Sequence, residues 1–196
     1  MNKLEKICVF CGSNEGNDTM IIDIAKKLGK KLAKNNMILV YGAAKIGVMG
    51  IVAKAALKRK GKVIGVIPEF LKNKEVVHLG LYKLITTQNM HERKLKLHDL
   101  SDGFIALPGG IGTLEELFEI FTWLQLGLHS KPIGLLNINH FYDDLIGLLE
   151  NMVRKGFLSM ENYELLLVDD DIDRLIQKMK EFKDPQKPKW LSSERT

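Results

Sequence analysis

Cysteine is scarce in this chain: Cys8 and Cys11 are the only two among 196 residues. Their Cys-x-x-Cys spacing invites a redox or zinc reading, but Ile7-Cys8-Val9-Phe10 has the pattern of a buried strand. Side chains three apart on a strand point to opposite faces, and a catalytic dithiol belongs at a helix start. Long apolar runs are missing as well; none approaches the roughly 20 residues of a membrane-spanning helix. The stretch Ile7 to Phe10 is too brief for the core of a secretion signal. Charge of one sign is not strongly in excess, with 29 Lys and Arg against 24 Asp and Glu, a net +5. The densest basic set is Lys26, Lys27, Lys30, Lys31 and Lys34. It lies at helical spacing opposite Ile21, Ala25, Leu28 and Leu32, as a solvated helix face does. No recognition motif and no interleaved aromatics mark a nucleic-acid surface. The expectation is a soluble, cytoplasmic protein that engages neither membrane nor nucleic-acid polymer, its basic balance suiting a small phosphorylated ligand.

Several catalytic signatures are absent too. No Gly-x-Ser-x-Gly elbow serves a hydrolase triad. His91-Glu92-Arg93-Lys94-Leu95 begins like a zinc-protease helix but lacks the second histidine. His78, His98, His129 and His140 have no metal-ligand spacing, so no metal site is expected.

What the chain has is alternation. At 45% hydrophobic it is too apolar for disorder, and its length suits one domain with a full core. Apolar runs at about 6–10, 37–41, 62–67, 82–86, 103–107, 132–136 and 164–168 read as strands. Helical patterns fall at about 18–35, 47–60, 88–101, 113–127, 141–155 and 170–182. Strands apolar on both faces, such as Val63 to Ile67, belong in a parallel sheet covered by helices on each side. The expected class is therefore α/β: a doubly wound, mostly parallel, Rossmann-like sheet in a single domain of residues 1–183. A loosely held tail, 184–196, follows.

Ligands of such sheets bind beyond the carboxyl ends of the strands. Three loops there are rich in small residues: Cys11 to Asn14, Tyr41 to Gly47 and Leu107 to Thr113. The third follows a strand, opens a helix and carries Gly109, Gly110 and Gly112, so its backbone N–H groups can approach a phosphate. It is neither a Walker loop nor Gly-x-Gly-x-x-Gly. Thr113 and Glu116 fit a capping box. The helical wheel offers another role for Glu116, which shares a side with Ile120 and Trp123, away from Leu114, Leu117, Phe118, Phe121 and Leu124. A helix apolar on two sides is buried on two sides, and a carboxylate there asks for a cationic or hydroxyl-bearing partner. Arg93 lies within the core stripe Met90, Leu97 and Leu100. It either snorkels outward or meets a carboxylate or phosphate, and Lys94 either reaches the same anion or is solvated. Glu75, after the third strand, either reaches the crevice or is a solvated loop carboxylate.

At these residues the chain resembles the Lonely Guy (LOG) family, over about residues 6 to 180. The resemblance is carried by Phe10-Cys11-Gly12-Ser13, Tyr41-Gly42, Gly47-Val48-Met49-Gly50, Gly65-Val66-Ile67-Pro68, Met90 to Lys94 and Pro108 to Glu116. It implies a phosphoribohydrolase that splits cytokinin riboside 5′-monophosphates into free base and ribose 5-phosphate, as a homodimer and without metal or organic cofactor. By position, Arg93 and Glu116 match the catalytic pair. Glu75, Lys94, Gly110, Ile111, Gly112, Thr113, Leu114, Glu115 and Thr122 match nucleotide-binding positions, with Gly12, Ser13, Gly42, Met90 and Gly109 read as further substrate contacts. The second loop departs from the family pattern at Ala43, Ala44 and Lys45, where Gly or Ser is usual; a positive φ there would strain alanine.

Two rival readings have residue-level tests. A lysine decarboxylase needs pyridoxal phosphate on a lysine, and no lysine is singled out. A nucleotide carrier like the molybdenum-cofactor carriers shares glycine loops but has no need of a carboxylate at a ribose. The two-sided helix at 113–127 adds an expectation about assembly. A neighbouring helix or a two-fold partner must cover Ile120 and Trp123, and the partner is expected, with the crevice near the interface.

Overall fold

The computed structural model describes residues 2–72 and 77–183; Glu75 and the expected tail from Asp184 onward lie outside the described residues. Seven strands, β1 (Lys6–Phe10), β2 (Ile38–Tyr41), β3 (Val63–Pro68), β4 (Lys83–Thr87), β5 (Gly103–Ala106), β6 (Ile133–Leu136) and β7 (Leu166–Asp169), form one sheet. Its order is β4-β3-β2-β1-β5-β6-β7, and every neighbouring pair is parallel. The long helices are α1 (Thr19–Lys34), α2 (Gly47–Lys58), α4 (Met90–Leu100), α5 (Ile111–Gln125), α6 (Asp143–Arg154) and α8 (Ile172–Glu181). Two four-residue helices, α3 (Glu69–Lys72) and α7 (Met160–Tyr163), and a 3-10 turn at Ile138–His140 fall where the periodicity shows nothing. They are too short to build a repeating apolar face.

Each face of the sheet has its own core. One unites Val9, Leu39 and Ile105 with Leu28 and Leu32 of α1, Val52 of α2 and Leu175 of α8. The other unites Cys8, Val40 and Phe104 with Leu97 of α4, Leu117 and Phe121 of α5 and Leu149 of α6. The inner strands β3 and β5 are buried along their whole length, as continuous apolar runs require, while edge strand β4 exposes Lys83, Leu84 and Thr86. Cys8 and Cys11 enter opposite cores, both buried and neither in a disulfide. On α1, Lys26, Lys27, Lys30 and Lys34 are exposed opposite the buried Ile21, Ala25, Leu28 and Leu32. Gly29 lets α1 and α2 close together: a Cβ there would lie 2.3 Å from Val52 O. Among the described residues no helix is long and apolar enough to cross a membrane.

Strand order reverses between β1 and β5. From β1 the chain leaves through α1 on one face toward β2, and from β5 through α5 on the other face toward β6. The loops after these two strands therefore diverge and leave a crevice between them, the ligand position of a doubly wound sheet.

Candidate active site

The glycine loops after β1 and β5 are held together at that crevice. Gly12 N donates to Pro108 O at 3.3 Å, and a Cβ on Gly109 would lie 2.8 Å from Gly12 N, so the loop after β5 needs its glycine for this approach. A depression of about 220 Å³ beside them is lined by Gly12, Ser13, Asn14, Pro108, Gly109 and Gly110, among others.

Helix α5 opens without a side-chain cap. Its N-cap is Gly110, to whose carbonyl the N–H groups of Thr113 and Leu114 donate at 3.0 and 3.2 Å. The capping box expected from Thr113 and Glu116 does not form, because the helix begins two residues earlier, at Ile111. Thr113 instead turns its hydroxyl back under Gly109, where a Cβ would meet Oγ1 at 2.2 Å. A reciprocal cap of this type forms on α4: Asn89 Oδ1 accepts from Glu92 N at 2.9 Å, and Glu92 Oε2 from Gln88 N at 2.7 Å. At the start of α5, by contrast, Gly110, Ile111 and Gly112 are exposed, and nothing lies within 4 Å of a Cβ built on either glycine. An uncapped, open helix N-terminus offers backbone N–H groups and a positive dipole end to an anion.

Glu116 lies six residues into that helix from Gly110, about 9 Å along the axis. Its carboxylate meets Arg93 across the contact between α5 and α4: Arg93 Nη1 is 3.8 Å from Glu116 Oε1, with the side chains 10% and 15% exposed. Arg93 does not snorkel. Its Nε donates to Val66 O, within β3, at 3.2 Å, and Nη1 lies 3.9 Å from Met90 Sδ. Gly42, just after β2, makes room for the guanidinium, since a Cβ there would lie 2.2 Å from Nη2. Burial pushes the Glu116 carboxyl up to about 7, against the pull of Arg93; Glu115 and Glu119 add to the rise and Lys94 opposes it. A carboxyl enclosed in this way and held near neutrality is suited to acid–base or charge-stabilising work.

Lys94 neither reaches an open anion site nor is solvated. Its Nζ is 2.6 Å from Glu115 Oε1 and 2.8 Å from Glu119 Oε1. Burial alone would lower its pKa, but the hydrogen bonds it donates to both carboxylates outweigh that and raise it. Glu119 was not among the residues singled out by sequence, although its spacing of three from Glu116 and four from Glu115 places it on their helix face. Thr122 is exposed a further six residues along α5, and Leu114 is half-buried against the core.

On the side of α5 where a two-fold partner is expected, the chain itself buries Ile120 and covers part of Trp123, which stays half-buried. Ile120 is buried in the same core as Leu97 of α4, and Trp123 stands edge-on to His98 at 5.3 Å between ring centroids. The chain crosses from β4 back to β5 through α4, which therefore packs beside α5 on one face. His129, pushed down to about 4 by burial, braces the end of α5 through a 2.9 Å contact between Nε2 and Ile120 O. In the second loop, Ala43 does adopt the left-handed region, at φ 68°, and Gly65 makes room for its methyl: a Cβ on Gly65 would lie 2.7 Å from Ala43 Cβ.

A family model described as "Possible lysine decarboxylase" matches residues 49–179. Cytokinin riboside 5′-monophosphate phosphoribohydrolase LOG2 of Arabidopsis thaliana is 40% identical over 181 residues, 92% of this chain and 85% of that protein. The chain belongs to this LOG family. LOG3 of the same plant is 41% identical, with 92% of this chain and 84% of that protein covered. Solved structures share the fold. The molybdenum cofactor binding protein of Rippkaea orientalis aligns with a TM-score of 0.68 at 24% identity, over 91% of this chain and 97% of that one. DNA processing protein A of Helicobacter pylori aligns at 0.58 and 17% identity, over 88% and 79%.

Proposed function

We propose that this LOG-family protein hydrolyses the N-glycosidic bond of cytokinin riboside 5′-monophosphates, releasing the free base and ribose 5-phosphate. The observation that carries this reading is the enclosed Arg93–Glu116 pair, two turns along α5 from its open, glycine-rich N-terminus. The 5′-phosphate binds the N–H groups of Gly110, Ile111 and Gly112, with Gly12, Ser13 and Gly109 closing the cradle. That places the ribose against the second turn of α5. As the bond from the anomeric carbon to the base nitrogen breaks, its electron pair leaves with the base and positive charge develops on the sugar. The ionised Glu116 carboxylate stabilises that charge. Water then adds to the anomeric carbon, giving up a proton, while the base gains one. Arg93, fixed by Val66 O and roofed by Gly42, holds Glu116 in place and offers its remaining N–H groups to the ribose. Met90 lies against the guanidinium, and Glu75, Leu114, Glu115 and Thr122 are assigned to the substrate by position in the family pattern.

The residues do not suit the chemistry that the family description suggests. A lysine that forms a Schiff base with pyridoxal phosphate needs a lowered pKa, whereas Lys94, the lysine beside the Arg93–Glu116 pair, is held charged by two carboxylates. A carrier role leaves Glu116 without a task. We assign the protein to the cytoplasm and to a homodimer. Exposed Leu95 on α4, Ile111 on α5, and Leu126 and Leu128 just beyond it, offer apolar surface for the second copy. Incubation with isopentenyladenosine monophosphate and with AMP, followed by assay for ribose 5-phosphate, tests the reading. Tight binding without release supports a carrier instead, and sedimentation of the same sample reports the assembly.

A further inference from the structure

Arg93 and Glu116 are part of a larger set of charges between α4 and α5, and Glu119 is the member with no role so far. The ammonium of Lys94, the residue after Arg93, lies between Glu115 and Glu119. Glu119 is 24% exposed and Glu115 51%, so water competes less for the contact with Glu119. The three carboxylates of Glu115, Glu116 and Glu119 share one surface of α5, where like charges three and four residues apart repel. Lys94 offsets that repulsion.

We propose that Glu119 is a positioning residue for the catalytic carboxylate: it holds Lys94 away from Glu116 and leaves Arg93 as the cation that faces the reacting sugar. The kinetic consequence rests on the phosphoribohydrolase reading; the electrostatic one does not. Arg93 and Lys94 face Glu116 from α4, Glu115 and Glu119 from α5, and the thiols of Cys8 and Cys11 from β1 and the loop after it. The two cations favour the ionised form and the two anions oppose it, so the loss of any one charge moves the Glu116 proton. Without the Glu119 charge, Lys94 loses its more sheltered partner and acts on Glu116, favouring the ionised form. Without the Lys94 charge, Glu115 and Glu119 are uncompensated and disfavour it. The two halves of one ion pair thus shift Glu116 in opposite directions, which loosened packing does not do.

The test compares Glu119→Gln and Lys94→Met with wild type, first confirming by circular dichroism that both are folded. Carbon-13 NMR follows the glutamate carboxyls with pH, the Glu116 signal being the one lost in Glu116→Gln, and kcat is measured over the same range. The Glu116 midpoint, about 7 in wild type, is expected to fall in Glu119→Gln and to rise in Lys94→Met. Each shift should be on the order of half a pH unit or more, with the acid limb of kcat following. Unchanged midpoints, or shifts of the same sign, overturn the inference. Should Glu119→Gln fail to fold, Lys94→Met decides alone, since a fall or no change there contradicts it. A wild type without turnover defeats the hydrolase reading and leaves the NMR arm in force.

Discussion

Arg93 and Glu116 stand 3.8 Å apart across the α4–α5 contact, nearly enclosed yet too far apart for a hydrogen bond. A bidentate pair would keep the carboxylate ionised at any moderate pH. Here the guanidinium spends a hydrogen bond on Val66 O, and burial dominates the carboxyl, which titrates near neutrality.

Turnover is expected to rise with pH through about 7, as Glu116 ionises. Glu116→Gln should abolish it, by about 100-fold or more, while leaving the fold and phosphate binding intact. The amide keeps the size and removes no cap, because Gly110 caps the helix. Activity within a few-fold of wild type would return Glu116 to a structural role.

The same group makes stability depend on pH. Glu116 titrates near an ordinary glutamate value when unfolded and near 7 when folded, so its contribution is fully present below the unfolded value and is lost as pH rises through 7. Relative to Glu116→Gln, wild type should lose on the order of 3 kcal/mol between pH 4 and 8. His129 acts in the opposite sense, its burial weakening the fold as pH falls from its ordinary value toward about 4. The difference between the two proteins in urea melts isolates Glu116, and a difference independent of pH would refute its raised pKa.

Gly42→Ala should separate catalysis from stability. The new methyl would lie 2.2 Å from Arg93 Nη2, the end of a flexible side chain, and 3.1 Å from Met49 Sδ. The guanidinium can yield, so the melting temperature should change little. Activity should fall nearly as far as in Arg93→Ala. Wild-type kinetics in Gly42→Ala would show that the position of the guanidinium is immaterial.

Cys8→Ser and Cys11→Ser are each expected to leave kcat nearly unchanged. Both thiols are buried, and burial raises their pKa values well above the ordinary thiol range. Native protein should therefore react with thiol reagents only as fast as it opens. Rapid labelling of the folded protein that stops turnover would contradict the placement of these side chains in the two cores.

The alternation of apolar runs with helical patterns was enough to read the doubly wound sheet, since a strand buried on both faces leaves a run such as Val63–Ile67 that no other neighbourhood tolerates. The glycine loops, and a buried arginine in the stripe Met90, Leu97 and Leu100, were legible for the same reason: both break a local rule, and breaks of local rules gather at sites. Which carboxylate meets which cation was not legible. Arg93 and Lys94 are adjacent in sequence, yet one meets Glu116 and the other Glu115 and Glu119, because consecutive helical positions point about 100° apart and only the packing of α4 on α5 selects their partners. The start of α5 departs from its local sequence signal. Thr113 and Glu116 have capping-box spacing, but the helix begins at Ile111 with Gly110 as its N-cap, and its first turn is open. Local spacing records which side chains share a helix face; what covers that face, and so the charge a carboxyl carries at neutral pH, is a property of the assembled layers.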